Sequence, residues 1–292
     1  FLKFSKTKVI ALDSDSLIKK ISLKLEKQYP NRFFFYQRKF SEVNSIVGNK
    51  LADAIIFDLG LSSIQLNDLK RGFSYRSKEK LDMSMGLTEN SAEKALNNLT
   101  EQKLKSIIKI LGEEKDAGRI ARNIVKRRSI KKISRVNELV EIIEKSKRKD
   151  WKSKINPSTK TFQALRIYVN KEITELIEGI INATKVLKPG GKLIIVSFHS
   201  IEDKIVKYFF SNFSSARSRP SRYLPENKDI GISLFDKYKN RIFKPSKKEI
   251  NRNPPSRSAK LRYAIRSKDE FIFPLLLIQK FKKYLDLESI YA

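Results

Sequence analysis

The sequence predicts an α/β fold, an open and largely parallel sheet interrupted by a helical, basic insert. Three observations carry this. Two short apolar runs, Lys8–Leu12 and Ala54–Phe57, each end in an aspartate, Asp13 and Asp58. A third run, Lys192–Ser197, follows the tight turn Pro189-Gly190-Gly191. Short runs rich in β-branched residues and bounded by turn formers read as buried strands. Between about residues 68 and 165 the spacing becomes helical and the charge strongly basic.

At 292 residues the chain can bury a sizeable core, in one large domain or a domain with an insert. It carries 62 Lys+Arg against 32 Asp+Glu, a formal charge of +30. Such an excess favours a polyanionic partner, because neutralising phosphates releases counterions. A generally lysine-rich composition gives the same sign, so charge alone does not establish RNA binding. The absence of cysteine excludes disulfides, thiolate metal sites and thiol nucleophiles. No apolar run approaches the ~20 residues that span a bilayer. The expected setting is cytoplasmic, with no membrane partner and no metal.

In chain order, the first strand ends at Asp13, and Ser14, Asp15 and Ser16 supply an N-cap for a helix carrying Leu17, Ile18, Ile21, Leu23 and Leu25. An acid closing such a strand can accept hydrogen bonds from ribose hydroxyls. Asp13 fits that role, with another N-cap carboxylate as the alternative. Phe33–Tyr36 reads as the next strand, with Phe40 at the following turn. Gly48-Asn49-Lys50 connects to the strand closed by Asp58. Ligands of open α/β sheets bind outside the carboxyl ends of strands, which puts Asp58, Leu59 and Gly60 at the mouth of a site. Ser62, Ser63, Gln65, Asn67 and Asp68 then make a polar loop. Arg71-Gly72-Phe73-Ser74-Tyr75-Arg76 interleaves cations and aromatics, a mixture suited to phosphate contact and base stacking. The competing reading is a solvated loop followed by a core methionine pair, Met83 and Met85.

Helices are expected over 91–99, capped by Ser91, and over 100–111. Another covers 113–128, with acids in its first turn and bases in its last. Arg119, Arg122 and Lys126 share a face there, either simply solvated or tracking phosphates. A helix at 136–145 leads into the loop 145–152. One long helix is expected from about 156 to 187, with Arg166 and Asn170 one turn apart. Arg166 either meets RNA or forms a buried ion pair. The lone histidine, His199, precedes a helix capped by Ser200, and serves either to position a base or as a hydrogen-bonded structural residue. Residues 207–268 hold 17 Lys/Arg and 4 Asp/Glu, and 211–255 reads as a mobile basic loop. Leu261–Ile265 is the last strand, and the apolar-basic tail after 268 has no functional reading.

The order of these blocks is specific. FDLGLSS with Gln65, Leu66 and Asp68, then RGFSYR at 71–76, LDMSM at 81–85, GEE…RIA…IV at 112–125, NPSTKTFQALRIYVN at 156–170, SFHSIED at 197–203 and NPPSRSAKLR at 253–262 together resemble the RsmH (MraW) family. Asn156 stands where that family has histidine. The resemblance implies a Rossmann-like S-adenosylmethionine-dependent methyltransferase sheet with an inserted helical domain. The implied activity is N4-methylation of a cytidine in the decoding region of 16S ribosomal RNA, with the small ribosomal subunit as partner. The implied cofactor residues are Asp13, Phe40, Asp58 and Gln65. The catalytic acceptors are expected among Asp58, Ser62 and Ser63, and the RNA contacts among Arg71, Phe73, Arg76, Arg119, Arg122, Arg166, His199, Arg257 and Arg262. The implied organisation is a methyltransferase domain in two parts, 1–67 and 166–268, around a substrate-recognition insert at 68–165, with a tail at 269–292.

The family's first strand and its Gly-rich loop, which carries the methionine end of the cofactor, have no counterpart in residues 1–7. That strand belongs between those ending at Asp13 and Asp58. The chain is therefore expected to bind cofactor weakly. Two other readings stay open, an inactive RNA-binding or ribosome-assembly protein and an amino-methyltransferase of another nucleic acid. Equilibrium binding of S-adenosylmethionine checks the expectation: a version extended by a Gly-rich first strand should bind tighter than the chain as given, and equal affinity would remove the argument.

Overall fold

The computed structural model describes residues 1–48, 51–88, 90–147, 156–215, 233–236 and 238–290. Asn49 and Lys50 of the expected turn, the end of the 145–152 loop and residues 216–232 of the basic stretch lie outside the described residues. The elements in order are β1 (Val9–Leu12), α1 (Lys19–Gln28), β2 (Phe33–Tyr36), α2 (Val43–Val47), β3 (Ala52–Asp58), α3 (Ser63–Asn67), α4 (Ala92–Asn98), α5 (Glu101–Leu111) and α6 (Ala117–Arg128). There follow α7 (Val136–Ser146), α8 (Thr159–Asn170), α9 (Glu172–Val186), β4 (Leu187–Ser197), α10 (Ser200–Asn212), α11 (Lys247–Arg252), β5 (Lys260–Ile265) and α12 (Leu275–Glu288). Among the described residues no helix is long and apolar enough to cross a membrane.

The chain forms two compact units. The first comprises Phe1–Phe40, Leu61–Thr174 and Lys283–Ala292, the second Ser41–Gly60 and Glu175–Lys282. In the first, β1 and β2 run parallel, Val9 opposite Phe33 through Leu12 opposite Tyr36, with α1 as the crossover. The same unit holds a helical core in which α5 packs on α6 and α8, and α6 on α7. Leu104 and Ile108 of α5 and Ile120 and Ile124 of α6, each pair four residues apart on its helix, are fully buried there with Leu139 of α7 and Leu165 of α8. Ser91 and Thr100 cap α4 and α5 by accepting the N–H of Lys94 and Lys103.

Two helices differ from expectation. No acid occupies the first turn of α6, which begins only at Ala117. Glu114 is buried ahead of it, accepting from Asp116 N at 3.0 Å and from Lys147 Nζ at 2.7 Å. The long helix breaks at Lys171, whose φ is +51°. Three side chains stabilise the break. Arg166 donates twice to Glu172, at 2.7 and 2.8 Å. Asn170 turns away to the backbone of Met83 and Met85. Glu288, at the end of α12, accepts from Ile173 N at 2.9 Å, and from Thr174 N and Oγ1 at 2.7 Å each.

In the second unit β3 and β4 are parallel and β4 and β5 antiparallel. The Pro189-Gly190-Gly191 turn lies within β4, held by paired backbone bonds of Gly190 and Gly191 with Arg266, both 2.8 Å. β3 is buried on one side only: Ile55 and Phe57 are covered while Ile56 and Asp58 are exposed. Its alternation is that of a half-buried strand rather than the fully buried one expected. Among the described residues β1 pairs only with β2, and β3 only with β4. The α10 helix begins one residue after its cap, which is His199 and not Ser200.

Glu288 generates a prediction. Burial pushes its carboxyl up to about 8, against the opposing bonds from Thr174 and Ile173. A protonated carboxyl there can donate to Thr174 Oγ1, because a hydroxyl accepts as well as donates. The folded value exceeds the ordinary ~4.3, so this contribution to stability is full below ~4.3 and is lost as pH rises through the folded value. Glu288→Ala also strands the Ile173 and Thr174 N–H groups, at about 1–3 kcal/mol. Urea unfolding should show the variant less stable at pH 5, with a smaller loss between pH 5 and pH 9 than the parent. Equal pH slopes would contradict this.

Candidate active site

The loop after β1 is organised by carboxylates. Asp13 Oδ1 accepts from Asp15 N at 2.8 Å, and burial pushes the Asp13 carboxyl above the usual range. Asp15 is itself buried. It accepts from Leu17 N at 3.0 Å, from Gln65 Nε2 at 2.7 Å and from Arg71 Nη1. Burial pushes Asp15 up, but the bonds from Arg71, Gln65 and Leu17 outweigh it and hold this carboxyl below the usual range.

Gln65 spends both ends of its amide inside the protein. Its Oε1 accepts from Ser62 N at 3.0 Å while Ser62 Oγ accepts from Gln65 N at 3.3 Å, a reciprocal cap that starts α3. Arg71 also donates to Ser84 O at 2.8 Å, and its guanidinium lies 5.2 Å from the ring centre of Phe73. Gly86 packs directly on this loop at φ +90°, where a Cβ would sit 2.6 Å from the Ser14 carbonyl. The structure thus brings Asp13, Asp15, Ser62, Gln65, Arg71 and the Met83–Gly86 loop together in the first unit. Phe40 is half-buried in the same unit, and Ser63 is the first residue of α3.

Asp58 closes β3 in the second unit. It is exposed, yet the protein around its carboxyl is close enough that partial burial pushes it above the usual carboxylate range. Gly60 follows at φ +87°, with the Phe198 ring 3.3 Å from where a Cβ would stand. His199 accepts from Glu202 N through Nδ1 at 3.5 Å, and Glu202 Oε2 accepts from Phe198 N and His199 N at 2.8 and 3.2 Å. This is the structural role the sequence left open for histidine.

The residues expected to meet RNA divide sharply. Arg76, Arg122 and Arg257 are exposed, and Arg119 is exposed while paired with Asp116. Phe73 is buried and Arg71 is tied to Asp15, an arrangement that pins a loop. Arg166 is held by Glu172. Arg262 is buried, donating to Asp203 at 2.7 and 3.3 Å and to Tyr238 Oη and Asn240 Oδ1 at 2.9 Å each. A guanidinium so occupied is not available to a phosphate. The sequence reading missed Asp15 and Asp203 as anchors. An acid two residues past a strand end, and a basic partner on the neighbouring strand, were the signals available.

Comparison with known proteins shows the family. A family model described as the MraW methylase family matches residues 1–267. The ribosomal RNA small subunit methyltransferase H of Bartonella grahamii is 44% identical over 262 residues, covering 90% of this chain and 78% of that protein. The protein of the same name from Bartonella quintana is 45% identical over 262 residues with the same coverage, and that of Brucella ovis 39% over 266 residues, 89% and 76%. Parallel strands closed by aspartates, with these relatives, define an α/β methyltransferase. The chain belongs to the MraW methylase family.

The Asp15 cluster yields a test of its architecture. Arg71→Ala leaves a buried carboxylate without its cation, an arrangement that costs roughly 3–5 kcal/mol. Thermal denaturation should show a large fall in stability, with Arg71→Ala/Asp15→Asn less affected than Arg71→Ala alone. A single variant as stable as the parent would contradict the pinning role.

Proposed function

We propose that the protein transfers a methyl group from S-adenosylmethionine to the exocyclic N4 of an unpaired cytidine in the decoding region of 16S ribosomal RNA, within the small subunit, in the cytoplasm. The observation that carries this is family membership over nearly the whole chain, with Asp58 placed at the carboxyl end of its strand. The charge of +30 supports a polyanionic substrate.

The residues present suit the cofactor. Asp13 commits Oδ1 to Asp15 N, and among the described residues no bond is formed to Oδ2, so an acceptor remains for ribose hydroxyls. Phe40 offers a ring beside an adenine, and Gln65 holds the loop between Ser62 and Asp15 in shape. Bound there, S-adenosylmethionine supplies an electrophilic sulfonium methyl.

An exocyclic cytosine amine is a poor nucleophile because its lone pair is delocalised into the ring. Asp58 accepts a hydrogen bond from the amine, orients it and takes up its proton as positive charge develops. Ser62 and Ser63 are the further candidates in this reading. The target must be unpaired or splayed out, since a duplex hides the amine in pairing and stacking. The exposed Arg76, Arg119, Arg122 and Arg257 supply phosphate contacts, and the helical segment 68–165 acts as the substrate-recognition insert.

The test uses unmethylated small subunits and labelled cofactor, with mass spectrometry of the released nucleosides. N4-methylcytidine is the expected product, and methylation of another base or atom would overturn the reading. Asp58→Asn should lower kcat by about 10²–10⁴-fold. The active form of Asp58 is the carboxylate, so the parent should lose activity as pH falls through a value above the ordinary ~3.9, and the variant should lack that limb.

A further inference from the structure

We propose that the outward face of the three-stranded sheet in the second unit carries unpaired RNA bases past Asp58, with Phe243 and Tyr263 as a stacking platform and Arg241 as its cation. This rests on RNA being the substrate and names where the nucleotides flanking the target lie.

The register makes the argument. Asp58 stands opposite Val196, and Val196 opposite Leu261. Leu261 exchanges both backbone bonds with Phe243, at 3.0 and 2.9 Å. Directly opposed residues point to the same face of a sheet, so Asp58 and Phe243 end one cross-strand row. Three strand spacings separate them, about 14 Å. The next row on that face is Ile56, Ile194 and Tyr263. The opposite face, with Phe57, Ile195 and Arg262, is buried.

On the outward face the aromatics are open. Phe243 is 38% and Tyr263 41% exposed, their ring centres 5.9 Å apart and their planes inclined at 35°. The guanidinium carbon of Arg241 lies 4.7 Å from the Phe243 ring centre. Residues 238–259, ahead of the two cations tied to Asp203, hold seven Lys/Arg and a single Glu. An apolar protein partner would account for the rings but not for this cation density. A single strand of RNA accounts for both, because every base offers a π-face and every nucleotide a phosphate. Stacking of this kind tolerates sequence, so the platform supplies grip beside the target and leaves base choice to the site at Asp58.

The experiment compares the full chain with Phe243→Ala/Tyr263→Ala, Phe243→Tyr/Tyr263→Phe and Arg241→Ala. Affinity is measured by anisotropy with an unpaired oligonucleotide containing the target cytidine, together with cofactor affinity and steady-state kinetics on small subunits. The alanine pair should weaken RNA binding at least about tenfold, and KM for RNA should rise by more than kcat falls. Cofactor affinity should hold and the aromatic exchange should restore binding. Arg241→Ala should lower the salt dependence of binding by about one unit of slope. RNA affinity unchanged in the alanine pair, or lost in the aromatic exchange with stability intact, overturns the platform. If the parent methylates RNA while the alanine pair binds it normally, the platform fails and the function stands. If the parent methylates no RNA yet the alanine pair loses binding, the platform stands and the function fails.

Discussion

The first unit depends on one buried negative charge. Removing the Asp15 carboxylate from water costs several kcal/mol unless donors replace the water. Three donors do so, from three stretches of chain: Leu17 N, the Gln65 amide and the Arg71 guanidinium. Each donor is thereby fixed, and each fixes something else. Gln65 sets the cap of α3 through Ser62. Arg71 takes the Ser84 carbonyl and returns its own carbonyl to Met83 N at 2.9 Å. Met83 sits at φ +61°, a conformation a methionine adopts only when its surroundings impose it. Asn170 holds the same turn from the other side, with Met83 O at 2.9 Å and Met85 N at 2.8 Å. Ser62, the RGFSYR and LDMSM blocks and the end of α8 are therefore partners in one polar network.

The second unit repeats the device. Asp203, at the start of α10, is pulled up by burial but held below its usual range by Arg262 and Lys260 on β5. This joins the SFHSIED block to the NPPSRSAKLR block, and it fixes β5 against the helix that covers it. A charged pair here specifies register as much as it stabilises, because a one-residue slip of β5 would turn Arg262 to the open face and Leu261 inward. That would dismantle the row running from Asp58 to Phe243.

The strands were legible because apolar runs closed by an acid or a PGG turn have few alternatives. The strands closed by Asp13 and Asp58 follow the pattern, and Ser91 was readable as a cap from local chemistry. What could not be read was the direction a cation points. Arg71, Arg166 and Arg262 carry the same letters as Arg76 and Arg257, and only distant partners distinguish them. Asp15, Glu172 and Asp203 take up the first three. The break at Lys171 was hidden for a similar reason. Helical periodicity continues smoothly through it, and the groups that stabilise the break include Glu288, more than a hundred residues away.

These inward arginines change how the charge of +30 bears on RNA. A cation already neutralised by a buried carboxylate releases no counterion when a phosphate approaches, so it adds nothing to the salt dependence of binding. The cations that count are those on long, solvated side chains and those beside exposed rings. They occur on the α6 surface, in the Arg76 turn and through residues 238–259. Binding strength and site geometry thus draw on different subsets of one residue type. The carboxylate-bound arginines give a loop or a strand one shape, and in the proposed function the exposed ones gather the polyanion. Substitution of Arg262 and of Arg241 would therefore fail in different ways, the first through the sheet and the second through the RNA.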